Sequence, residues 1–183
     1  MFESYDGITF EVCQPVEEQA LQIMNWRNDP VTLSFFFHRT PKIWPDFWHE
    51  YRDSYFQHRP ELAPVFALAD GKRVAFLRFA PHPHPSGTTA PTVDISINLP
   101  PESRGQGLGR KVLRAVAGYL KAQGVHSIYA EVVTENLASI KAFKAAGFEP
   151  IGNIDRLVED TAEVFNVDCF VMDMVPAGAA GQA

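Results

Sequence analysis

The stretch Arg104-Gly105-Gln106-Gly107-Leu108-Gly109 stands between a segment with strand-like alternation and a segment with apolar residues at helical spacing. Glycines at alternate positions let the backbone approach a bulky anion closely. The first N–H groups of the following helix supply hydrogen-bond donors and a partial positive charge. The stretch therefore predicts a strand, a turn and a helix whose start binds a phosphate-bearing ligand.

Other glycine-rich turns differ from this one in detail. A P-loop requires Lys and then Ser or Thr after its last glycine, whereas Arg110 and Lys111 follow here. A dinucleotide-binding turn has the spacing G-x-G-x-x-G near the first strand of its unit, whereas this turn has G-x-G-x-G and follows several earlier strands. Glu131 nevertheless lies where such a site has its acidic residue. A turn that only satisfies backbone geometry explains two glycines better than three preceded by Arg104.

Hydrophobic periodicity and turn residues predict the strands and helices on either side of the glycine turn. Strands are expected at 8–13, 65–69, 74–79, 92–99, 127–133, 148–154 and 164–175. Helices are expected from Pro15 to about Pro30, from about Pro45 to Tyr55, and over 105–123 and 136–147. Asp70-Gly71 predicts a tight hairpin, and the Pro-rich segment 81–87 predicts an exposed loop.

This order of elements predicts an α+β fold. We expect a mostly antiparallel central sheet of about seven strands flanked by about four helices, with a short parallel portion beside the helix that follows the glycine turn. The chain has 183 residues, of which 46% are hydrophobic, so a single domain is expected over 1–176. The small-residue segment 177–183 is expected to be a disordered tail.

Charge and cysteine usage narrow the class of protein. The net charge of −6 argues against a broad surface for nucleic acid or anionic lipid. We therefore expect no nucleic acid and no membrane as partner, and a homodimer stays open. The N-terminus lacks the features of a signal peptide and no apolar stretch could cross a bilayer, which predicts a cytoplasmic protein. Cys13 and Cys169 are predicted to be buried thiols. His82 and His84 lie close together in the sequence, but no third ligand is spaced near them, so a metal site is not expected.

Two further motifs accompany the glycine turn at characteristic separations. They are Asn136-Leu137-Ala138-Ser139-Ile140 and Ala146-Gly147-Phe148. Together with 104–109 they resemble the GCN5-related N-acetyltransferase (GNAT) superfamily, and the resemblance covers most of the chain. It implies a GNAT-like fold and an N-acetyltransferase that uses acetyl-CoA as its cosubstrate and needs no metal.

Two other segments resemble a narrower branch of that superfamily. Trp26-Arg27-Asn28-Asp29-Pro30 and Val93-Asp94-Ile95-Ser96-Ile97 are similar to enzymes that acetylate nucleotide-linked amino sugars, whose layout is close to that of enzymes acetylating ribosomal-protein N-termini. The resemblance implies a primary amine on such a sugar, or on a similar small molecule, as the acceptor. A peptide N-terminus, an antibiotic or a polyamine as acceptor stays open, as does an acyl-CoA-binding module without catalysis.

The resemblance also implies which residues bind the coenzyme. Backbone groups near the end of the strand 92–99 would run beside the pantetheine arm, the glycine turn would hold the pyrophosphate, and the cap of the next helix would contact the arm. The implied residues are Ile97, Leu99, Arg104, Gly105, Gln106, Gly107, Leu108, Gly109, Asn136, Ser139 and Phe143. Asn136 is also a good helix N-cap, and the two roles are compatible.

The superfamily often has a tyrosine where this chain has Phe143, and that tyrosine protonates the departing sulfur. The proton donor is therefore missing here. Because a thiol ionises with a pKa of about 8.5, a thiolate is a tolerable leaving group near neutrality. Water could then supply the proton, and Phe143 would serve as a wall for the pantetheine arm.

Acetyl transfer to an amine requires a neutral nucleophile and a stabilised oxyanion. The apolar residues of 93–99 share one strand face and leave Asp94 and Ser96 on the other. Asp94 is therefore the first candidate for the general base, directly or through water. Glu131, on the next strand, is the second candidate.

Fewer residues in the sequence indicate where the amine acceptor binds. Its candidate contacts are Arg27, Asn28, His38, Trp48 and Ser96. Arg27 could meet a phosphate, and an aromatic side chain from this part of the chain, which includes Phe35, Phe36 and Phe37, could stack on a base. Core packing is the simpler explanation for most of these aromatic residues.

Overall fold

The computed structural model describes residues 5–58, 60–158 and 162–174. Its seven strands form one sheet in the order β1-β2-β3-β4-β5-β7-β6. The strands are β1 (Ile8–Val12), β2 (Val65–Ala69), β3 (Lys72–His82), β4 (Thr92–Asn98), β5 (Ser127–Val133), β6 (Glu149–Leu157) and β7 (Val164–Asp173). The helices are α1 (Glu17–Arg27), α2 (Pro30–Phe35), α3 (Asp46–Ser54), α4 (Leu108–Ala122) and α5 (Leu137–Ala146). The predicted α+β fold is confirmed, and the tail 177–183 lies outside the described residues.

Helix α2 is the element that the sequence analysis missed. The first helix ends before Pro30 as predicted, but a new helix begins at Pro30 with Asp29 as its N-cap. The backbone N–H of Thr32 donates to Asp29 Oδ2 over 2.9 Å. Asp followed by Pro at the first helical position is a start signal that was present in the sequence. Among the residues that the structure describes, five α-helices therefore flank the sheet instead of about four.

Strands β2 and β3 form the hairpin that was predicted at Asp70-Gly71, where φ is 49° and 74°. Strand β3 then continues to His82, so the loop predicted to begin at Pro81 is wrong at its start. Both Pro81 and His82 pair with β4. The pairing of β2 with β3 ends at Leu77. Beyond that residue β3 has a sheet neighbour on one side, and the open side accommodates a proline, which has no N–H to donate.

The sheet opens between β4 and β5. These two strands run parallel and pair over three positions that end with Asp94 opposite Tyr129. Strand β4 continues to Asn98 and β5 to Val133, and the described residues of the two strands make no further ladder pairs with each other. The sequence predicted this short parallel portion. Its early end leaves a wedge in the sheet at the start of α4.

Each face of the sheet carries its own hydrophobic core. One core lies under α4 and α5 and contains Val93, Ile95, Val112, Leu113, Ile128 and Phe143. The other lies under α1 and α3 and contains Ile23, Trp26, Phe47, Tyr51, Phe66 and Phe76. The predicted apolar face of β4 therefore packs on α4. Cys13 and Cys169 are both buried free thiols, as predicted.

Candidate active site

A cleft of about 800 Å³ opens where β4 and β5 separate. Its walls are the ends of these two strands, the glycine turn with the start of α4, one side of α5, and the end of α2 with the residues just after it. The cleft thus joins the predicted coenzyme site and both candidate carboxylates in one space.

The glycine turn forms one end of this cleft. Gly105 and Gly107 have φ of 72° and 74°, which favours glycine, and the space that a Cβ would occupy is open at both positions. Gly107 is the N-cap of α4, and it provides no capping side chain. The first N–H groups of α4 are therefore available to an anion. Arg110 and Lys141, which the sequence analysis did not propose, also line the cleft.

The residues that the resemblance assigned to the coenzyme all line the cleft except Gln106. The side chain of Gln106 is exposed and donates to the carbonyl of Glu102 over 2.5 Å. Asn136 caps α5, since the N–H of Ser139 donates to its Oδ1 over 3.2 Å. This bond uses the side-chain oxygen of Asn136 and leaves its amide N–H groups for other partners.

Arg104 fastens one wall of the cleft. Its Nη2 lies 2.7 Å from Asp29 Oδ2 and donates to Thr32 Oγ1, also over 2.7 Å. Its Nε donates to the carbonyl of Leu99 over 3.0 Å. The hydroxyl of Thr32 in turn donates to Asn98 Oδ1 over 3.3 Å. The guanidinium thus ties α2 to the connection between β4 and α4, and this role, which requires tertiary contacts, was not visible in the sequence.

The wall also holds an unsatisfied donor. Asn98 has 5% of its surface exposed and lines the cleft, and its Nδ2 has no hydrogen-bond partner among the described atoms. Buried polar groups are nearly always hydrogen-bonded, so such a donor in the wall of a cleft is consistent with a site that a polar ligand completes.

Asp94 lies at the base of the wedge, at the last position where β4 pairs with β5. Burial, reinforced by the negative charge of Glu131, raises the pKa of Asp94 to about 6. A carboxylate with a pKa near the working pH is matched to general-base catalysis. Sequence alternation predicted the face on which Asp94 lies, but not the burial that tunes it.

Glu131 also lines the cleft, but it is engaged by neighbours. Arg156 of β6 donates to both of its carboxylate oxygens, with Nε 2.7 Å from Oε2, and the hydroxyl of Tyr129 donates to Oε1 over 2.8 Å. Burial alone would raise the pKa of Glu131, but these hydrogen bonds outweigh it and lower the pKa. Glu131 is therefore held as an anion and is a weaker base than Asp94.

The candidate acceptor contacts divide into two groups. Ser96 lines the cleft beside Asp94. Within the part of the chain that the structure describes, the cleft lining does not include the other four, which are Arg27, Asn28, His38 and Trp48.

Structural contacts account for three of these four residues. Arg27 Nη1 donates to the hydroxyl of Tyr55 over 2.9 Å. Asn28 makes two hydrogen bonds of 2.7 Å to the backbone of Lys42: its Nδ2 donates to the carbonyl, and its Oδ1 accepts from the N–H. Trp48 packs against the core under α1 and α3. Of the aromatic residues proposed for the acceptor side, those that line the cleft are Phe35 at the end of α2 and the following Phe36 and Phe37.

Phe143 lines the cleft from α5 and is 3% exposed. Its ring packs edge-to-face on Phe148, with centroids 4.9 Å apart, and stacks on Phe170 at 5.9 Å. That this side chain contacts the pantetheine arm stays a prediction.

Neither a metal site nor a membrane span is evident in the described part of the chain. Residues 5–58, 60–158 and 162–174 contain no cluster of three or more His, Cys, Asp or Glu side chains that could hold an ion. None of the described helices combines the length and the apolar character needed to cross a membrane.

Comparisons with known proteins all point to acetyltransferases. The model of the acetyltransferase (GNAT) family matches residues 22–148. The chain is similar to an L-methionine sulfoximine/L-methionine sulfone acetyltransferase of Pseudomonas aeruginosa, with 28% identity over 89 residues, or 49% of this chain and 52% of that protein. The match thus spans about half the length of the curated relative.

Solved structures show the same fold. AAC(6')-Ib in complex with ribostamycin and coenzyme A has a TM-score of 0.72 at 17% identity, covering 92% of this chain and 94% of that one. A ribosomal-protein-alanine N-acetyltransferase from Brucella melitensis has a TM-score of 0.67 at 19% identity, covering 90% and 99%. At these identities the likeness concerns the fold.

Proposed function

The chain belongs to the acetyltransferase (GNAT) family, and from that premise we propose that it transfers an acetyl group from acetyl-CoA to a primary amine of a small molecule. The observation that carries the proposal is the cleft between β4 and β5, which joins an uncapped helix start to the partly buried carboxylate of Asp94. The acetyl thioester supplies the activated acyl group, and the residues of the chain bind the substrates and accept the proton of the amine.

Several features of the cleft fit such a coenzyme. Gly105 and Gly107 have positive φ and open space around them, so the backbone of the turn can approach a pyrophosphate closely. The free N–H groups at the start of α4 can donate hydrogen bonds to it. Arg110 and Lys141 add positive charge along the same wall. The unpaired Nδ2 of Asn98 can donate to a carbonyl of the bound coenzyme.

In the proposed mechanism Asp94 accepts the proton that the amine must lose to become a nucleophile. The amine nitrogen attacks the thioester carbonyl, the C–N bond forms, and the C–S bond breaks. Asp94 is poised for its step because its pKa of about 6 leaves it ionised at neutral pH while keeping it a stronger base than an exposed carboxylate. Glu131 stays charged through Arg156 and adds a negative potential that attracts a cationic amine.

The departing thiolate cannot take a proton from a tyrosine at position 143, because that part of the wall is Phe143. We propose that water supplies this proton. With a thiol pKa of about 8.5, release as the thiolate costs about 2 kcal/mol at pH 7, so a protein donor is not essential.

For the acceptor we propose an amino sugar, free or nucleotide-linked. The acceptor end of the cleft combines two carboxylates with the aromatic residues 35–37, which suits a cationic amine on a ring. The nucleotide itself has less support, because Arg27 and Trp48 lie outside the cleft lining and are engaged elsewhere. A peptide N-terminus is the competing acceptor.

The test is release of free thiol from acetyl-CoA by the pure protein against a panel of amines. The panel holds free amino sugars, nucleotide-linked amino sugars, an aminoglycoside, methionine sulfoximine and short peptides. We expect turnover with an amino sugar and no turnover with its N-acetylated form. Turnover confined to peptides would show that the acceptor is a peptide N-terminus and not an amino sugar. Tight binding of acetyl-CoA with no turnover on any amine would favour a binding module.

A further inference from the structure

A second, smaller cavity of about 380 Å³, here called the outer cavity, adjoins the cleft along β4. The cleft is lined by β4 from Asp94 onward, and the outer cavity by the two preceding residues, Thr92 and Val93. His82 and His84 line the outer cavity from β3 and the segment that follows it. Asp94 therefore lies in the cleft directly after the part of β4 that lines the outer cavity, and the mechanism uses the cleft alone.

His82 lies on the same face of the sheet as Asp94. In the β3–β4 register His82 is opposite Thr92 and Ala80 is opposite Asp94, so that His82 and Asp94 are diagonal neighbours within reach of long side chains. The imidazole also stacks on the ring of Tyr129, with centroids 4.1 Å apart and planes at 11°. Tyr129 is the residue paired with Asp94 on the other side, so the three side chains form one row.

The hydrogen bonding of His82 leaves one ring nitrogen ready to accept a proton. Its Nδ1 lies 2.6 Å from the carbonyl oxygen of Pro83. A carbonyl can only accept, so Nδ1 carries the hydrogen and the lone pair of the neutral ring is on Nε2.

We propose that His82 relays the proton from Asp94 to solvent in the outer cavity. The relay rests on the proposed function, in which Asp94 takes a proton from the amine while both substrates fill the cleft in front of it. The Asp94 carboxyl group passes its proton to Nε2 of His82, which becomes an imidazolium. The imidazolium then gives a proton to water in the outer cavity, and both side chains return to their starting states.

The surroundings of Asp94 favour this direction of transfer. The charged or titratable side chains around it are His82 on β3, Tyr129 and Glu131 on β5, and Arg156 on β6. Glu131 is held by Arg156 and Tyr129, and the hydroxyl of Tyr129 points to Glu131 and to the sulfur of Cys169. Of this group His82 is the one that lines the outer cavity.

The test compares the wild type with His82→Gln in weak buffer at pH 7 to 8, with added imidazole as the probe. We expect His82→Gln to lower kcat by at least about tenfold with an unchanged KM for acetyl-CoA, and imidazole to restore most of the loss. His84→Gln is the matched control. It lines the same cavity, but its Nε2 is 3.0 Å from Asp173 and its Nδ1 is 2.7 Å from Ser86. We expect it to keep the wild-type kcat.

Two results would overturn the relay. One is a wild-type kcat for His82→Gln in weak buffer, and the other is a loss that imidazole does not restore, which would make His82 a structural residue. Absence of turnover by the wild type on the amine panel would instead count against the proposed function, so the two failures are distinguishable.

Discussion

At the residue scale, the proposed role of Asp94 as general base depends on the partial burial of its carboxylate. The strand places the carboxylate at the end of the β4–β5 pairing, and desolvation there, with the nearby charge of Glu131, raises its pKa to about 6. An acid with a raised pKa is ionised only above that pH. The activity and the stability of the protein should therefore depend on pH in opposite ways.

Asp94→Asn removes the proposed base. We expect kcat to fall by about 10²- to 10⁴-fold, the range typical of general bases, with little change in the KM for acetyl-CoA. In the wild type, kcat/KM should decline as pH falls through about 6, because Asp94 becomes protonated. Steady-state kinetics across pH measure both effects. Asp168→Asn, on β7 and bonded to Asn153, is the control carboxylate, and a similar loss there would argue against a specific role for Asp94.

The same substitution should stabilise the fold at neutral pH. The folded pKa of Asp94 lies above the ordinary value of about 3.9, so its contribution favours the folded state at low pH and is lost as pH rises through about 6. The difference corresponds to at most about 3 kcal/mol. Asp94→Asn should therefore raise the free energy of unfolding at pH 8 and leave it nearly unchanged at pH 4. Urea titration at both pH values measures this, and a variant that is less stable at pH 8 would contradict it.

At the element scale the start of α4 is the proposed coenzyme cradle. Gly107 and Gly124 have φ of 74° and 78°, and space for a Cβ is open at both. Alanine at either position should cost about 1–2 kcal/mol of stability through backbone strain. Only Gly107→Ala should also weaken acetyl-CoA binding, by about tenfold or more, because its methyl group would enter the cradle. Calorimetry measures both affinities, and equal losses in the two variants would show that strain alone is responsible.

A second contact at this scale joins α2 to the β6–β7 hairpin. Arg39 Nη1 lies 3.0 Å from Glu163 Oε2, its Nη2 donates to the carbonyl of Ser34 over 3.1 Å, and its guanidinium lies 3.8 Å above the ring of Phe165. These contacts connect the segment that follows α2, which lines the cleft through Phe36 and Phe37, to the β6–β7 hairpin.

We expect Arg39→Ala to raise the KM for the acceptor several-fold while the KM for acetyl-CoA stays the same. Arg39→Lys should recover only part of the loss, since an ammonium cannot reproduce the flat stacking and the paired hydrogen bonds. Arg52→Ala is the control, because Arg52 pairs with its exposed neighbour Asp53 on α3. Kinetics with each substrate varied in turn distinguish these outcomes. A change confined to the acetyl-CoA KM would contradict the assignment.

Local signals in the sequence predicted the elements well. The glycine turn, the Asp70-Gly71 hairpin and the Asn136 cap each follow from a backbone requirement that a few adjacent residues express. The missed helix α2 had such a signal in Asp29-Pro30. The extension of β3 through Pro81 did not, because it depends on where β2 ends.

The acceptor side was less predictable because its contacts are long-range. Arg27 was expected near substrate, but it bonds Tyr55, which is 28 residues away. Arg104 reaches back 72 residues to Thr32. No spacing within a short segment encodes such contacts. The ion pair of Glu131 with Arg156, which distinguishes the two carboxylates, is hidden for the same reason.

At the scale of the whole molecule, the sheet consists of two parts joined by a short parallel ladder. Strands β1 to β4 form one antiparallel run, β5 to β7 form the other, and three residue pairs connect them. Helices α4 and α5 pack across the junction on one face. A ligand in the wedge would contact both parts, so this one gap in the sheet provides the proposed coenzyme site. The single-domain boundary at 176 stays a prediction.

Binding of acetyl-CoA in this wedge can be measured by calorimetric titration of the wild-type protein with acetyl-CoA. We expect saturable binding of one coenzyme per chain, weakened in Gly107→Ala and retained in Gly124→Ala. Absence of binding to the wild-type protein at high micromolar acetyl-CoA would contradict it.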